Sequence, residues 1–246
     1  MDLTFLGTGA GNYRGGHRQP SSVLLDRILL DCGAGATGRL HDAGLFDRVD
    51  AVVLTHLHTD HLAGLFDFLL HTIIQQRKRP LSILTPPGLS PILKAMNEVR
   101  ATVIDPAEMY PLRIIEAPRP EATVGPWTIQ SLPLDHTVYN VGYLLTSDSV
   151  RVFYTGDTRE PSAAEGLRTD LLIHEATFAD RYADRAHEFG HSTASQAGRV
   201  AARMGARRLF VTHLASLPDT ESEVLREVRA AFPDSEVAED RGHYSL

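Results

Sequence analysis

Thr55-His56-Leu57-His58-Thr59-Asp60-His61 places four side chains that can bind a metal ion within six residues. The apolar run 51–55 predicts a short buried strand, and the run 62–70 that follows His61 predicts the start of a helix. His56 and His58 are two residues apart, so on extended backbone both side chains point to the same side. Imidazole nitrogens and carboxylate oxygens suit Zn²⁺ and similar ions. The stretch therefore predicts a metal site at the end of a strand.

The composition of the chain is that of a globular enzyme. Its 246 residues are 43% hydrophobic and 22% charged, and they suffice for one large domain. The net charge of −7 argues against a broad nucleic-acid-binding face, although it allows a local basic patch. A single cysteine, Cys32, excludes an internal disulfide and is expected to be a small buried residue. Because no apolar run reaches the length of a membrane span and no leader is recognisable, we expect a cytoplasmic protein that does not enter membranes.

Short apolar strands alternate with helices along the sequence, which predicts one α/β domain over residues 1–246. The predicted strands are 3–6, 22–25, 27–31, 51–55, 81–85, 112–115, 127–134, 142–146, 150–155, 171–173 and 208–212. The predicted helices are 36–43, 62–75, 90–100, 193–204 and 221–232, the last opened by Asp219 or Thr220. The glycine-rich segment 7–11 indicates a tight turn near the site rather than a phosphate cradle, because no clear helix follows it.

Five predicted strands each lead to a histidine or an acidic residue. These residues are His56, His136, Asp157, the pair His174 and Glu175, and His213. If the strand ends converge, the polar residues form one site at one rim of the sheets. Six residues can supply three ligands to each of two ions, namely His56, His58, Asp60, His61, His136 and His213, and Asp157 can bridge the ions. Two metals about 3.5–4 Å apart hold a hydroxide and suit hydrolysis, above all of phosphodiesters.

Glu175 and His191 are the next candidates for chemistry. His191 precedes the predicted helix 193–204, which places it at a helix N-terminus near the metals. Breaking a phosphodiester leaves an alkoxide that must be protonated, and a histidine oriented by a carboxylate is a suitable acid. The role of His174 stays open, and we expect the other histidines to be structural or surface residues: His17, His41, His71, His187 and His243.

Taken together, these motifs resemble those of the metallo-β-lactamase superfamily. The stretch 56–61 matches its H-x-H-x-D-H signature, and the blocks at 5–9, 30–33, 154–159, 174–178, 191–194 and 212–213 are similar to its ribonuclease Z branch, in the same order. The resemblance implies a four-layer αβ/βα sandwich of two mixed β-sheets flanked by helices. It also implies two Zn²⁺ ions at one edge between the sheets, although Mn²⁺ or iron also suits such ligands.

The resemblance further implies a role for each ligand. One zinc would be held by His56, His58 and His136, the other by Asp60, His61 and His213, with Asp157 as the bridge. Asp60 is also a candidate general base, and Glu175 with His191 would protonate the leaving oxygen. A homodimer is a further expectation from the family.

One part of the ribonuclease Z pattern is missing. That branch carries a protruding arm that grips tRNA between the equivalents of His136 and Asp157, but here the two residues are only 21 apart, which leaves room for two strands and a tight turn. The segment after His213 also lacks the aromatic and basic residues usual in the branch. The sequence therefore favours a two-zinc phosphodiesterase that cleaves small phosphodiesters, cyclic nucleotides or short RNA.

Two alternatives remain open. The first is a ribonuclease Z-type endonuclease that processes tRNA 3′ ends without the arm; its RNA path would be lined by residues such as Arg14, Arg18, Arg77 and Arg79. The second is a lactonase, thioesterase or β-lactam hydrolase on the same scaffold. Acyl transfer has less need of an acid for an alkoxide, so the importance of His191 distinguishes these chemistries.

Overall fold

A computed structural model describes residues 1–11, 18–100, 106–161, 166–218 and 220–246, without the side chains of residues 97, 99 and 100. Its strands are β1 (Asp2–Gly7), β2 (Ser22–Leu25), β3 (Ile28–Leu30), β4 (Ala51–Val53), β5 (Leu81–Thr85), β6 (Leu112–Glu116), β7 (Glu121–Val124), β8 (Trp127–Leu134), β9 (Asn140–Thr146), β10 (Arg151–Tyr154), β11 (Leu171–Glu175), β12 (Arg208–Thr212), β13 (Ser235–Val237) and β14 (His243–Ser245). Its α-helices are α1 (Ala36–Asp42), α2 (Thr59–Ile74), α3 (Leu89–Arg100), α4 (Pro106–Met109), α5 (Ala183–Phe189), α6 (Ala194–Met204) and α7 (Thr220–Ala231). The predicted positions Arg14, His17 and Asp219 lie outside the described residues.

The strands form two mixed sheets of seven strands each. The first has the order β14-β1-β2-β3-β4-β5-β6, and the second has the order β13-β12-β11-β10-β9-β8-β7. Strands β3 to β6 run parallel to one another in the first sheet, as do β10 to β13 in the second. Parallel strands bring their carboxyl ends to one edge, so each sheet contributes several strand ends to the same side of the molecule.

Three apolar layers hold the sheets and helices together. The central layer joins the facing sides of the two sheets and contains Phe5, Tyr143 and Phe210. One outer layer packs α1 and α2 on the first sheet, and the other packs α6 and α7 on the second sheet. Because most strands are buried on both faces, their sequences are nearly continuous apolar runs. The result is a four-layer αβ/βα sandwich, which confirms the predicted fold class.

Two local features decide the shape of the site region. Helix α2 begins at Thr59 rather than at residue 62, so Asp60 and His61 lie in its first turn and not in a loop. A carboxylate is favourable there because the first N–H groups of a helix carry partial positive charge. Strands β9 and β10 are antiparallel and joined by a turn in which the Ser147 N–H donates to the Val150 C=O at 3.0 Å, so this connection carries no arm.

None of the described helices is long and apolar enough to cross a membrane.

Candidate metal centre

The seven predicted ligands converge at the edge between the two sheets. Segments β4 and α2 of the first half supply His56, His58, Asp60 and His61, and β8, β10 and β12 of the second sheet lead to His136, Asp157 and His213. One group of mutually close ligand atoms is formed by His56, His58, His136 and Asp157, and another by Asp60, His61 and His213. Neither half of the chain contains the whole cluster, so folding has to bring the two sheets together to build it.

The first group has the spacing of ligands around one ion. His58 Nδ1 lies 3.0 Å from His56 Nε2 and 3.3 Å from His136 Nε2. Asp157 Oδ2 lies 3.7 Å from His56 Nε2 and 4.0 Å from His136 Nε2. Tetrahedral zinc with bonds of about 2.0–2.1 Å separates its nitrogen ligands by about 3.3–3.4 Å. These residues therefore fit a zinc-sized ion.

The second group is equally compact and shares Asp157 with the first. His61 Nε2 and His213 Nε2 are 3.2 Å apart, and Asp60 Oδ2 lies 3.4 Å from His213 Nε2. Asp157 Oδ2 is 3.3 Å from His61 Nε2, and its Oδ1 is 3.3 Å from His213 Nε2. That buried Oδ1 accepts no hydrogen bond within the described residues. A buried oxygen without a donor needs another partner, and a cation between the groups supplies one.

Hydrogen bonds around the cluster fix which imidazole nitrogen points inward. The Nδ1–H groups of three histidines donate outward, from His61 to Asp31 Oδ2 at 2.7 Å, from His136 to Gly190 C=O at 2.7 Å and from His213 to Thr177 Oγ1 at 2.9 Å. The carboxylate and the carbonyl can only accept, and the Thr177 hydroxyl already donates to Glu175. Each Nε2 therefore points into the cluster, where it presents a lone pair to a metal ion once it carries no proton.

Asp31 is a residue of this site that sequence reasoning did not single out. Its side chain is fully buried and accepts the Thr55 N–H at 2.8 Å and the Tyr154 O–H at 2.7 Å, besides the bond from His61. Its backbone is left-handed, with φ of 55°, which L-residues rarely adopt. Since Asp31 directly follows the apolar strand β3, the same strand-end pattern that revealed the ligands pointed to it.

The predicted acid pair is in contact beside the cluster. His191 Nδ1–H donates to Glu175 Oε1 at 2.9 Å, and Asp157 Oδ2 lies 3.9 Å from the same nitrogen. Buried Glu175 also accepts the Thr158 N–H at 2.7 Å and the Thr177 O–H at 2.6 Å. Thr177 thereby joins the acid pair to His213, a link that the sequence did not reveal. His191 is also close enough to Asp157 and His213 to be a metal ligand itself.

Comparison with known proteins identifies the family. A family model described as Beta-lactamase superfamily domain matches residues 26–214, which is most of the chain. The chain belongs to the metallo-β-lactamase superfamily. It is 32% identical to the ribonuclease Z of Salinibacter ruber over 306 aligned positions that cover all of this chain and 94% of that protein. The alignment is longer than the 246 residues here, so the relative carries segments that this chain lacks.

Solved structures of the superfamily agree with this placement. The short form of human tRNase Z superposes with a TM-score of 0.83 at 28% identity, covering 100% of this chain and 99% of that one. A metallo-β-lactamase fold protein of Bacillus subtilis, YhfI, superposes with a TM-score of 0.80 at 23% identity, covering 99% and 98%, which shows a shared fold. This superfamily member is ribonuclease Z-like, and it is a metal-dependent hydrolase.

The charges and pKa shifts within the cluster of this metallo-β-lactamase fold favour the binding of a cation. Burial lowers the pKa of His56 well below its usual value, so its imidazole is neutral and free to bind. Burial raises the pKa of Asp157, but the surrounding histidines outweigh it and hold the pKa well below the usual range. For His61, burial lowers the pKa while the carboxylates of Asp157 and Asp31 raise it well above normal. A metal ion that binds His61 therefore has to displace a proton.

A cavity of about 310 Å³ opens over the cluster and gives a substrate access to it. Besides the polar cluster, its lining residues include Gly11, Thr137, Phe178, Arg185, Phe189 and Leu217. The predicted tight turn 7–11 reaches this cavity, because a Cβ on Gly11 would lie 2.9 Å from Asp60 Oδ2. Three arginines proposed for an RNA path are instead bonded within the chain: Arg18 to Glu221, Arg77 to Val49 C=O and Arg79 to Asp50.

Proposed function

We propose that this protein hydrolyses phosphodiester bonds with two zinc ions held by the cluster. His56, His58 and His136 would hold one ion and Asp60, His61 and His213 the other, with Asp157 between them. The orphaned Asp157 oxygen and the inward-facing Nε2 atoms support this assignment. When bound, such a pair of ions supplies an activated hydroxide and neutralises phosphate charge. Mn²⁺ or iron would suit the same nitrogen and oxygen ligands.

The observation that carries the phosphodiester assignment is the contact between Glu175 and His191. Burial lowers the pKa of His191, but the adjacent Glu175 carboxylate outweighs it and raises the pKa to about 9. His191 is therefore protonated at neutral pH, and its Nδ1–H is engaged by Glu175. The other ring nitrogen is left to donate a proton to the leaving alkoxide of a phosphodiester. A charged acid of this kind is needed most when the leaving group is a poor one.

Asp60 was also predicted as a general base, and the structure supports its role as a ligand more strongly. Burial raises the pKa of Asp60, but the nearby imidazoles of His213 and His61 outweigh it and lower the pKa below its usual range. A general base works best with a pKa near the working pH. We therefore propose Asp60 as a ligand first.

For the substrate we propose RNA, with tRNA 3′ ends as the first candidate. The relative at 32% identity is a ribonuclease Z, and the human structure at 28% identity is a tRNase Z. Small phosphodiesters, the favoured reading of the sequence, are the second candidate because the turn 147–150 between β9 and β10 leaves no arm to grip a large RNA. A homodimer, in which a second copy extends the RNA-binding surface, stays a prediction.

The test measures cleavage of a pre-tRNA with a 3′ trailer and of bis(p-nitrophenyl) phosphate by the zinc-loaded protein. We expect His191→Ala to lower kcat on the pre-tRNA by about 10²–10⁴-fold. The loss on the nitrophenyl ester should be smaller, since nitrophenolate leaves without help. His187→Ala is the matched control, because His187 is an exposed histidine of α5 that does not line the cavity.

Each outcome separates the candidates. Efficient trimming of the pre-tRNA would establish the RNA substrate in spite of the missing arm, and cleavage of the small ester alone would favour the second candidate. If the loaded protein cleaves neither phosphodiester but hydrolyses a lactone or a thioester, the proposal is wrong and the acyl alternative replaces it. If His191→Ala and His187→Ala lower kcat equally, His191 is not the general acid.

A further inference from the structure

Arg185 stands apart from the other polar residues that line the cavity. Most of these are histidines and carboxylates of the cluster, and Arg185 is the one guanidinium among the described lining residues. It lies on α5 and is exposed to solvent. In the part of the chain that the structure describes, its guanidinium has no ion pair and no hydrogen bond, only contacts with aromatic rings. None of the described residues therefore takes up its donors, which can serve a ligand in the cavity.

Two aromatic rings hold this guanidinium at the cavity wall. Its central carbon lies 5.9 Å from the ring centre of Phe178 and 5.7 Å from that of Phe189. A cation over a ring face is attracted by the quadrupole of the ring. Phe189 follows Arg185 by four residues and so shares its helix face, whereas Phe178 is fixed by the bond from Ala194 N–H to its own carbonyl at 3.1 Å. The arrangement orients Arg185 without using any of its N–H donors.

Arg185 is also close to the reacting centre. The Phe178 ring centre that lies under Arg185 is 6.0 Å from the ring centre of His191. Phe178 therefore neighbours both the guanidinium and the ring of the proposed acid. An Arg fork matches the oxygens of a phosphate and binds them in a bidentate manner. A group bound by Arg185 would belong to the part of the substrate next to the cleaved bond, because residues of the metal cluster line the same cavity.

We propose that Arg185 is a substrate-binding residue that takes a second phosphate group, adjacent to the phosphodiester being cleaved. This inference rests on the proposed phosphodiesterase function. It predicts that the site prefers a nucleotide carrying a neighbouring phosphate, as in an RNA chain, over an isolated diester. Phe189 acts as a positioning residue for Arg185.

The experiment compares thymidine 5′-(p-nitrophenyl phosphate) with the same ester carrying a 3′-phosphate, using the zinc-loaded protein. We expect the added phosphate to lower KM about three- to tenfold, with little change in kcat. This is the effect expected of a charged hydrogen bond that solvent exposure weakens. Arg185→Ala should erase that advantage, and Arg185→Lys should retain part of it. Arg181→Ala is the matched control, because Arg181 is also on this surface and lies over Tyr182, but it pairs with Glu223 outside the cavity.

The outcomes separate this inference from the function on which it rests. If the wild type cleaves both esters with the same KM, or if Arg185→Ala raises KM equally for both, Arg185 does not bind a second phosphate. If Arg181→Ala has the effect of Arg185→Ala, the effect is one of general surface charge and the assignment is wrong. If the wild type cleaves neither ester, the phosphodiesterase proposal fails, and the role of Arg185 fails with it.

Discussion

Replacing Asp31 with Asn tests whether the buried carboxylate under the cluster sets metal affinity. An amide has one accepting oxygen and one donating nitrogen, whereas Asp31 receives donors on both oxygens: Thr55 N–H on Oδ1, and His61 N–H with Tyr154 O–H on Oδ2. In either amide orientation at least one donor meets the NH₂ group. A lost bond to a charged partner costs about 1.5–3 kcal/mol. We therefore expect the free energy of unfolding of the metal-free protein to fall by at least about 1.5–3 kcal/mol.

The same substitution should weaken metal binding, because the bond from Nδ1–H to Asp31 keeps Nδ1 protonated and leaves Nε2 as the atom of His61 that binds the metal. Loss of such a partner typically costs 10–100-fold in affinity, and we expect about that loss in a zinc titration against a chelating dye. Asp26→Asn is the matched control: Asp26 is also left-handed, with φ of 49°, and accepts bonds from Asp2 N–H and Trp127 Nε1–H away from the cluster. Unchanged zinc affinity in Asp31→Asn would refute the reasoning.

Three further predictions concern protons, backbone and metal. The Glu175 carboxylate overcomes burial and raises the pKa of His191 to about 9, so kcat should fall as pH rises through about 9. Glu175→Gln should shift that fall to lower pH. A pH profile that the substitution does not shift would contradict the pairing. In Gly156→Ala the new Cβ would lie 2.5 Å from Thr55 Oγ1. Gly125 has a similar φ but open space around it, so Gly125→Ala should lower the free energy of unfolding by only about 1 kcal/mol. We expect urea unfolding to show a much larger loss for Gly156→Ala. Removing the metal with a chelator should lower Tm, and added zinc should restore it. Because metal binding has to displace a proton from His61, zinc addition should also release protons that are detectable in weak buffer. If no protons are released, His61 is not protonated in the metal-free protein.

Much of the fold follows from local sequence, and the elements that do not are three edge strands and one exposed helix. Strand β4 and its neighbours are apolar runs, so their positions were predicted closely. Strands β7, β13 and β14 were missed because they are short and carry polar or exposed residues at sheet edges. The pairing of β14 with β1 joins opposite ends of the chain, which no local pattern shows. Helix α5 was missed because only Ala186 of it is buried, which leaves no apolar periodicity.

The site shows the same division between local and long-range information. Residue type, the spacing in the stretch 56–61, strand-end position and, for His191, a place just before a helix predict the residues that the structure brings together in the cluster and beside it. Thr177 was not nominated, because its importance depends on Glu175 and His213 meeting the same hydroxyl, and His213 is 36 residues away. Arg185 lacks any motif and becomes notable only through the cavity that it faces. Hydrogen-bond partners and cavity walls are properties of packing, which the sequence pattern does not specify.

The division of the cluster between two sheets has a consequence for directed evolution of the protein. The distances among its ligands depend on the spacing of the sheets, which is set by the side chains of the central layer such as Ile173 and Phe210. A library that varies those residues samples the geometry of the metal site together with the core. A library that varies Leu172 of β11 and Val228 of α7, in the outer layer between the second sheet and its helices, samples thermal tolerance while leaving the ligand spacing intact.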